Sequence, residues 1–151
     1  MIRERLTESL KSAMKAKDAL RLATVRLILA ALKDRDIAAR GYGHSEGIGE
    51  DEVLTMMQTM VRQRRESIEM YKKGQRDDLV KREEGEIKVI EEFLPRQMSE
   101  GEVSSASREV IAELDAHSIK DMGRVMGKLK SQYAGKMDFG RASQVVKGLL
   151  T

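Results

Sequence analysis

The sequence predicts an all-α protein with an N-terminal four-helix bundle-like domain (residues 1–95) and a small three-helix C-terminal domain (residues 96–151). Three observations lead to this prediction. The 151 residues include a single proline, straight-chained helix formers are abundant, and apolar residues recur at three- and four-residue steps. With no Trp, two Phe and three Tyr, the core has to be built from aliphatic residues and from the ten Met.

Two helices are predicted at the N-terminus. The first covers residues 2–17, and Asp18 is a candidate N-cap for a second helix that runs to about Arg40. Apolar residues cover most of the circumference of the second helix, which predicts a central position for it. They form two stripes, one with Leu20, Ala23, Leu27, Ile28 and Ala31, the other with Leu22, Val25, Leu29 and Leu32.

Two further helices are predicted before the proline. A glycine-rich loop over residues 41–49 leads into a third helix over residues 51–73, which Gly74 ends. Asp77 is a candidate cap for a fourth helix, which ends at Leu94 because a proline follows. The loop follows a helix instead of a strand and contains no Gly-Lys-Ser/Thr sequence. It is therefore predicted to be neither a P-loop nor a dinucleotide-binding loop.

The C-terminal domain is predicted from its helix starts. Ser99 and Glu102 have the spacing of a capping box, in which each side chain binds an otherwise free backbone amide. Ser118 and Asp138 are candidate caps for the next two helices. The three predicted helices cover residues 99–116, 118–132 and 138–150.

Composition excludes several kinds of site. The chain has no Cys, which excludes disulfides, thiolate metal sites and a cysteine nucleophile. His44 and His117 stand far apart, and neither has a neighbour at metal-ligand spacing. We therefore predict no metal site, no cofactor and no catalytic residue.

Hydropathy favours a cytoplasmic protein without a membrane partner. The first 17 residues are charged throughout and lack the apolar core of a signal peptide. The longest apolar run, residues 27–32, is far too short to cross a bilayer.

A dense basic cluster occupies residues 62–65 of the third helix. Arg62 and Arg65 can pair with Glu66 and Glu69 one turn later. Arg64 lies in the apolar register, so we expect it to be partly covered and to have an acidic partner. An internal network of ion pairs between the third and fourth helices is predicted, in preference to a phosphate site.

The charge is concentrated at the C-terminal end. Residues 119–151 hold seven Lys or Arg against two acids, a net charge of +5, whereas the preceding 118 residues hold 21 basic and 23 acidic residues, a net of −2. An electropositive end indicates an anionic partner, although a basic surface that only aids solubility explains the same count.

The sixth helix contains the most informative pattern. Lys120, Arg124 and Lys128 recur every four residues as a basic ridge beside a bare ridge of Gly123 and Gly127. Each glycine inside a helix costs about 1 kcal/mol relative to alanine, so the pair needs an explanation. Close packing against another helix is one explanation, and close approach of an RNA backbone is the other. The predicted core stripe comprises Ile119, Met122, Val125, Met126 and Leu129.

The seventh helix adds further basic residues. Arg141 and Lys147 share its polar face with Gln144. With Asp138 as the cap, backbone amides at the helix start attract anions. Phe139 is expected to fill the small core in preference to stacking on a base.

Motifs along almost the whole chain resemble the GatB/YqeY family of small bacterial proteins, which is similar to the C-terminal helical tail of the B subunit of the tRNA-dependent amidotransferase. They are Arg76–Leu79 (RDDL), Glu83–Glu86 (EEGE), Glu92–Pro95 (EFLP), Asp121–Gly127 (DMGRVMG) and Gly135–Asp138 (GKMD).

The resemblance implies four N-terminal helices, a three-helix tail that binds tRNA, and the absence of the catalytic domains of the larger enzyme. Six positions match the RNA-facing motif of the tail, and the charge distribution adds Lys120, Arg141 and Lys147. The six are Gly123, Arg124, Gly127, Lys128, Gly135 and Lys136.

Three hypotheses follow for the function. The first is a non-catalytic module that binds tRNA or another structured RNA through the basic C-terminal domain. The second is an adaptor that docks on a synthetase or an amidotransferase, with the glycine ridge receiving a partner helix. The third is a carbon–nitrogen ligase with glutamine as amide donor, an activity implied only by the resemblance.

Overall fold

The computed structural model describes residues 1–151 and contains seven α-helices, one short 3₁₀ turn and no strand, which confirms the predicted all-α class. The chain divides into two compact units, Met1–Pro95 and Arg96–Thr151. No helix has both the length and the apolar composition needed to cross a membrane. The helices are α1 (Ile2–Ala16), α2 (Ala19–Gly41), α3 (Glu50–Lys73), α4 (Asp77–Glu91), α5 (Glu100–Glu113), α6 (Met122–Gln132) and α7 (Phe139–Leu150).

In the N-terminal unit, α2 is central as predicted, because it contacts α1, α3 and α4. Its side chains Val25 and Ile28 are fully buried in a core shared with these helices. One side of its apolar circumference is not covered, since Leu27 is 47% exposed and Ile37 is 53% exposed. The other fully buried side chains of this core include Leu6, Val53, Met57 and Ile90.

Local signals set some helix ends of this unit. The Asp18 carboxylate accepts a hydrogen bond from the amide of Arg21 (3.1 Å), as predicted for an N-cap. Asp77 is the first residue of α4 and not its cap, which is Arg76. The helix also ends before the predicted Leu94, because the Leu94 amide bonds to the carbonyl three residues back and tightens the last turn.

The predicted pairing of Arg64 with an acid is confirmed. Arg64 Nε donates to Glu86 Oε2 at 2.9 Å, and the two side chains are only 14% and 10% exposed. Arg65 pairs with Glu91 of α4 (3.7 Å) and not with the predicted acid on its own helix. The network therefore links α3 to α4.

Asp36 fastens the glycine-rich loop to the first two helices. Its carboxylate accepts two hydrogen bonds from the Arg3 guanidinium (2.7 and 2.9 Å) and one from the amide of Ile48 (2.9 Å). These partners, the arginine above all, lower the pKa of Asp36 to about 2. Gly47 lies against this carboxylate with a φ of 89°, and a Cβ atom there would be 2.3 Å from Asp36 Oδ1.

The C-terminal unit packs α5, α6 and α7 around its own small core. The predicted capping box is present: Ser99 Oγ accepts from the Glu102 amide (3.2 Å), and Glu102 Oε1 accepts from the Ser99 amide (3.1 Å). Asp138 caps α7 as predicted, by accepting from the Gly140 amide (3.0 Å). The core residues include Val110, Val125, Leu129, Met137, Ala142 and Val146.

The sixth helix begins later than predicted. Ile119–Asp121 forms a 3₁₀ turn, and α6 starts at Met122. The side chain of Ile119 is therefore 48% exposed, and its predicted place in the core stripe is wrong. Val125 and Leu129 are fully buried as expected.

Candidate nucleic-acid interface

The two glycines of α6 lie on its exposed side. A Cβ atom at Gly123 or Gly127 would meet nothing within 4 Å beyond the backbone of its own helix. No helix of the C-terminal unit therefore packs on them, so of the predicted explanations, packing against a helix of this unit does not apply. The ridge is open to a ligand or to another molecule.

The basic ridge beside the glycines is not a row of three free cations. Arg124 donates from Nη2 to Asp121 Oδ1 (2.8 Å), and Lys128 pairs with Glu113 on α5. Lys120 is exposed and makes no ion pair, but it belongs to the 3₁₀ turn. The contact with Arg124, followed by the backbone amides of His117 and Ser118, lowers the pKa of Asp121 to about 2.

Two of the predicted residues belong to the tight turn before α7. Gly135 is buried with a φ of 77°, a backbone conformation that glycine adopts at no steric cost, and its carbonyl accepts from Gln97 Nε2 (2.7 Å). Its structural role is to form the turn. The side chain of Lys136 is exposed, while its carbonyl accepts from the Met98 amide (2.8 Å).

The outer side of α7 carries Arg141, Gln144 and Lys147, all exposed. Gly148 lies on the same side, and a Cβ atom there would meet nothing within 4 Å. Phe139 is half-buried against the core, as expected. The solvent-exposed sides of α6 and α7 thus both combine glycines, which leave the backbone uncovered, with basic side chains.

Comparison with known proteins adds the family. A family model described as "Yqey-like protein" matches residues 3–150. The chain belongs to this YqeY-like family. Its relatives include the "Altered inheritance of mitochondria protein 41, mitochondrial" of three yeasts. The Lachancea thermotolerans protein is 36% identical over 111 residues, which cover 72% of this chain and 57% of the relative.

Two further relatives have the same name. The Kluyveromyces lactis protein is 30% identical over 128 residues, covering 82% of the chain and 66% of the relative. The Saccharomyces cerevisiae protein is 34% identical over 89 residues, covering 59% of the chain and 46% of the relative. This YqeY-like chain thus spans about half the length of the first relatives it matches.

These names correct the predicted location. The relatives are mitochondrial proteins by name, which contradicts the prediction of a cytoplasmic protein. That prediction depended on the lack of a long apolar segment, a property that proteins of the cytosol and of the mitochondrial interior have in common. The relatives are also yeast proteins, so they do not support the bacterial source that the resemblance implied.

One exposed cation of the YqeY-like chain, Lys130, was not among the RNA-binding residues predicted from the sequence. Lys130 is exposed, makes no ion pair within the chain, and lies on the glycine side of α6, three residues after Gly127 and seven after Gly123. The ridge prediction followed steps of four residues from Lys120 and so passed over it. A search for basic residues at three- and seven-residue steps from the glycines finds it.

Proposed function

We propose that this YqeY-like chain is a non-catalytic module that binds structured RNA, with tRNA as the leading candidate, through the C-terminal unit. The observation that carries the proposal is the combination of open glycines with unpaired cations on α6, on α7 and in the segments next to them. The exposed cations without an ion pair there are Lys120, Lys130, Lys136, Arg141 and Lys147.

The open backbone supports contact with phosphate and ribose. An amine can reach a phosphate beside a helix only if the nucleic-acid backbone comes close, and Gly123 and Gly127 leave that space. Phosphate contacts position a nucleic acid without reading its sequence, and 2′-OH contacts are typical of RNA recognised by shape.

The aromatic residues of the unit do not favour binding of single strands. Such binding uses exposed rings on which bases stack. The two aromatic side chains here, Tyr133 and Phe139, are half-buried against the core. Recognition of a folded RNA by its shape fits this surface better.

Paired cations contribute less than the sequence predicted. Arg124 and Lys128 must leave Asp121 and Glu113 before they can bind phosphate fully. Because these pairs are at the surface, a phosphate can compete with the carboxylates, at a cost in affinity. The unpaired lysines, including Lys130, are therefore the main contacts of the proposed interface.

A titration of labelled tRNA with the full chain at several salt concentrations tests this proposal. Phosphate contacts make the logarithm of the binding constant fall linearly with the logarithm of the salt concentration. We expect the triple variant Lys130→Ala/Arg141→Ala/Lys147→Ala to lose most of its affinity for tRNA. The slope against salt concentration should become less steep, by the equivalent of about three phosphate contacts. The matched control is Lys11→Ala/Lys15→Ala/Lys81→Ala, which removes three exposed lysines of α1 and α4. Equal losses in both variants would refute the proposed interface.

The open glycine ridge also supports a second candidate, an adaptor that docks on a synthetase or an amidotransferase. A helix of another protein can approach Gly123 and Gly127 as closely as an RNA backbone can. In that case Gly123→Ala/Gly127→Ala should abolish binding to purified synthetase or amidotransferase and leave the affinity for tRNA unchanged. The reverse result favours RNA.

A further inference from the structure

A second surface lies on α2, in the other unit, and the proposed RNA binding does not use it. Leu27 is 47% exposed and Ile37 is 53% exposed, on a helix that already buries its opposite side in the core. Between them Ala30 is exposed as well. We call the following residues the α2 stripe: Leu20, Ala23, Leu27, Ala30, Asp34 and Ile37.

The spacing within the α2 stripe is that of a helix-pairing seam. Its members follow one another at steps of three, four, three, four and three residues, a heptad pattern over most of the 23 residues of α2. Leu20 is at its margin, since its side chain also packs beside Gly85 of α4. Five of the six positions are apolar, although this side of α2 contributes nothing to the core. Exposed apolar residues aligned along one side of a helix are typical of a site of interaction.

A row of positive charge runs along one edge of the α2 stripe. Arg26, Lys33 and Arg40 recur every seven residues, and all three are exposed. Arg26 and Lys33 make no ion pair within the chain. Arg40 has a long-range electrostatic interaction with Asp36 but no direct ion pair with it. The heptad positions of the other edge are uncharged: Thr24, which is buried, Ala31, which packs against the core, and Ala38. In a pair of helices, the charges at these flanking positions determine which partner binds and in which orientation.

We propose that the α2 stripe docks an amphipathic helix of another protein, one with apolar residues at heptad spacing and carboxylates along the edge that faces Arg26, Lys33 and Arg40. Asp34 interrupts the apolar seam at one position, and a polar or basic residue of the partner lies opposite it. A single polar position of this kind fixes the register of two paired helices.

A second copy of α2 does not meet these requirements. In an antiparallel pair the basic row of one helix would face the basic row of the other, which is repulsive. In a parallel pair Arg26 and Lys33 would face the uncharged edge, and their charge would remain uncompensated. Only a partner with acidic residues on one edge matches both the apolar seam and the cations.

Binding of two synthetic peptides to the full chain tests this inference. Both are helical and as long as α2 (23 residues), with Leu at every heptad seam position except the one opposite Asp34, which is Asn. They carry either Glu or Lys on both flanks. Fluorescence anisotropy should give roughly tenfold tighter binding of the Glu peptide, because only that peptide complements the basic row. Leu27→Ser/Ile37→Ser should remove this binding, whereas Met70→Ser, at a 72% exposed position of α3, should leave it unchanged.

The charge-reversal variant Arg26→Glu/Lys33→Glu provides a test by gain of binding. It should bind the Lys peptide and reject the Glu peptide, a result that misfolding cannot produce. The affinity for tRNA should stay the same in all these variants, so this inference and the proposed function can fail independently. No binding of the Glu peptide, or equal binding of both peptides, would overturn the inference. Sedimentation that detects a dimer lost in Leu27→Ser/Ile37→Ser would also overturn it, in favour of a second copy.

Discussion

Glu113 on α5 pairs with Lys128 on α6, so a cation that the sequence assigns to the RNA interface is already neutralised within the chain. The Glu113 carboxylate is 54% exposed, so other anions can compete with it for Lys128. We expect Glu113→Gln to raise the affinity for tRNA about two- to fivefold and to steepen the salt slope by about one contact, because Lys128 becomes free.

Glu109→Gln is the matched control for this change. Glu109 is one turn earlier on the same helix, is exposed, and has no ion pair. The Glu109→Gln substitution removes the same charge from the C-terminal unit without releasing a lysine. An equal gain of affinity in both variants would mean that net charge, and not the release of Lys128, governs binding.

Opposite effects on stability and on RNA binding are expected for Gly123→Ala/Gly127→Ala. Both sites have open space for a methyl group, so the free energy of unfolding should rise by about 0.5–1 kcal/mol per site. The gain should be smaller at Gly123, which is only the second residue of α6. If the RNA backbone approaches this ridge, the affinity for tRNA should fall in the same variant. Urea denaturation and anisotropy measure the two effects.

Gly85→Ala is the control for the stability effect. This glycine is also inside a helix, but a Cβ atom there would be 2.8 Å from Leu20 Cδ2, so the leucine side chain must move. We expect a smaller gain of stability than at Gly127. A larger gain would contradict the interpretation that free space distinguishes these sites.

The sequence predicted the features of this fold that depend on neighbouring residues. The caps Asp18, Ser99 and Asp138 were found, because a capping side chain bonds within its own turn of chain. Asp77 is the exception, since it is the first residue of α4 and Arg76 takes the cap position. The pairing of Lys128 with Glu113 was not predicted, since it depends on how α5 and α6 pack. Exposure of the α2 stripe was missed for the same reason, because periodicity reports that a helix is apolar on two sides but not which side is covered.

The buried pair of Arg64 and Glu86 leads to a prediction about stability. Glu86→Ala leaves the guanidinium largely buried without its carboxylate, and should lower the free energy of unfolding by about 3 kcal/mol. Arg64→Met/Glu86→Leu removes both charges and should cost much less. Chemical denaturation of the wild type and the two variants measures this difference. Equal losses would mean that packing, and not the unpaired charge, causes the effect.

Asp36 should give the N-terminal unit a specific sensitivity to acid. Its pKa is about 2 in the folded chain against an ordinary value of 3.8, since Arg3 and the Ile48 amide stabilise the charged form. The resulting stability is fully present above the ordinary value and is lost as the pH falls towards 2. Its size is on the order of 1 kcal/mol, because Arg3 is 39% exposed and solvent screens the pair.

Thermal or urea unfolding of the wild type and Asp36→Asn between pH 7 and pH 2 measures this contribution. Asn keeps the shape of the side chain but cannot form the ion pair with Arg3. The variant should be less stable at pH 7, and its deficit should shrink as the pH drops below 4. In that range the carboxyl of the unfolded wild type becomes protonated first, and that of the folded protein only as the pH approaches 2. A deficit that is constant down to pH 2 would assign the role of Asp36 to the loop geometry at Gly47 and Ile48, without a contribution from its charge.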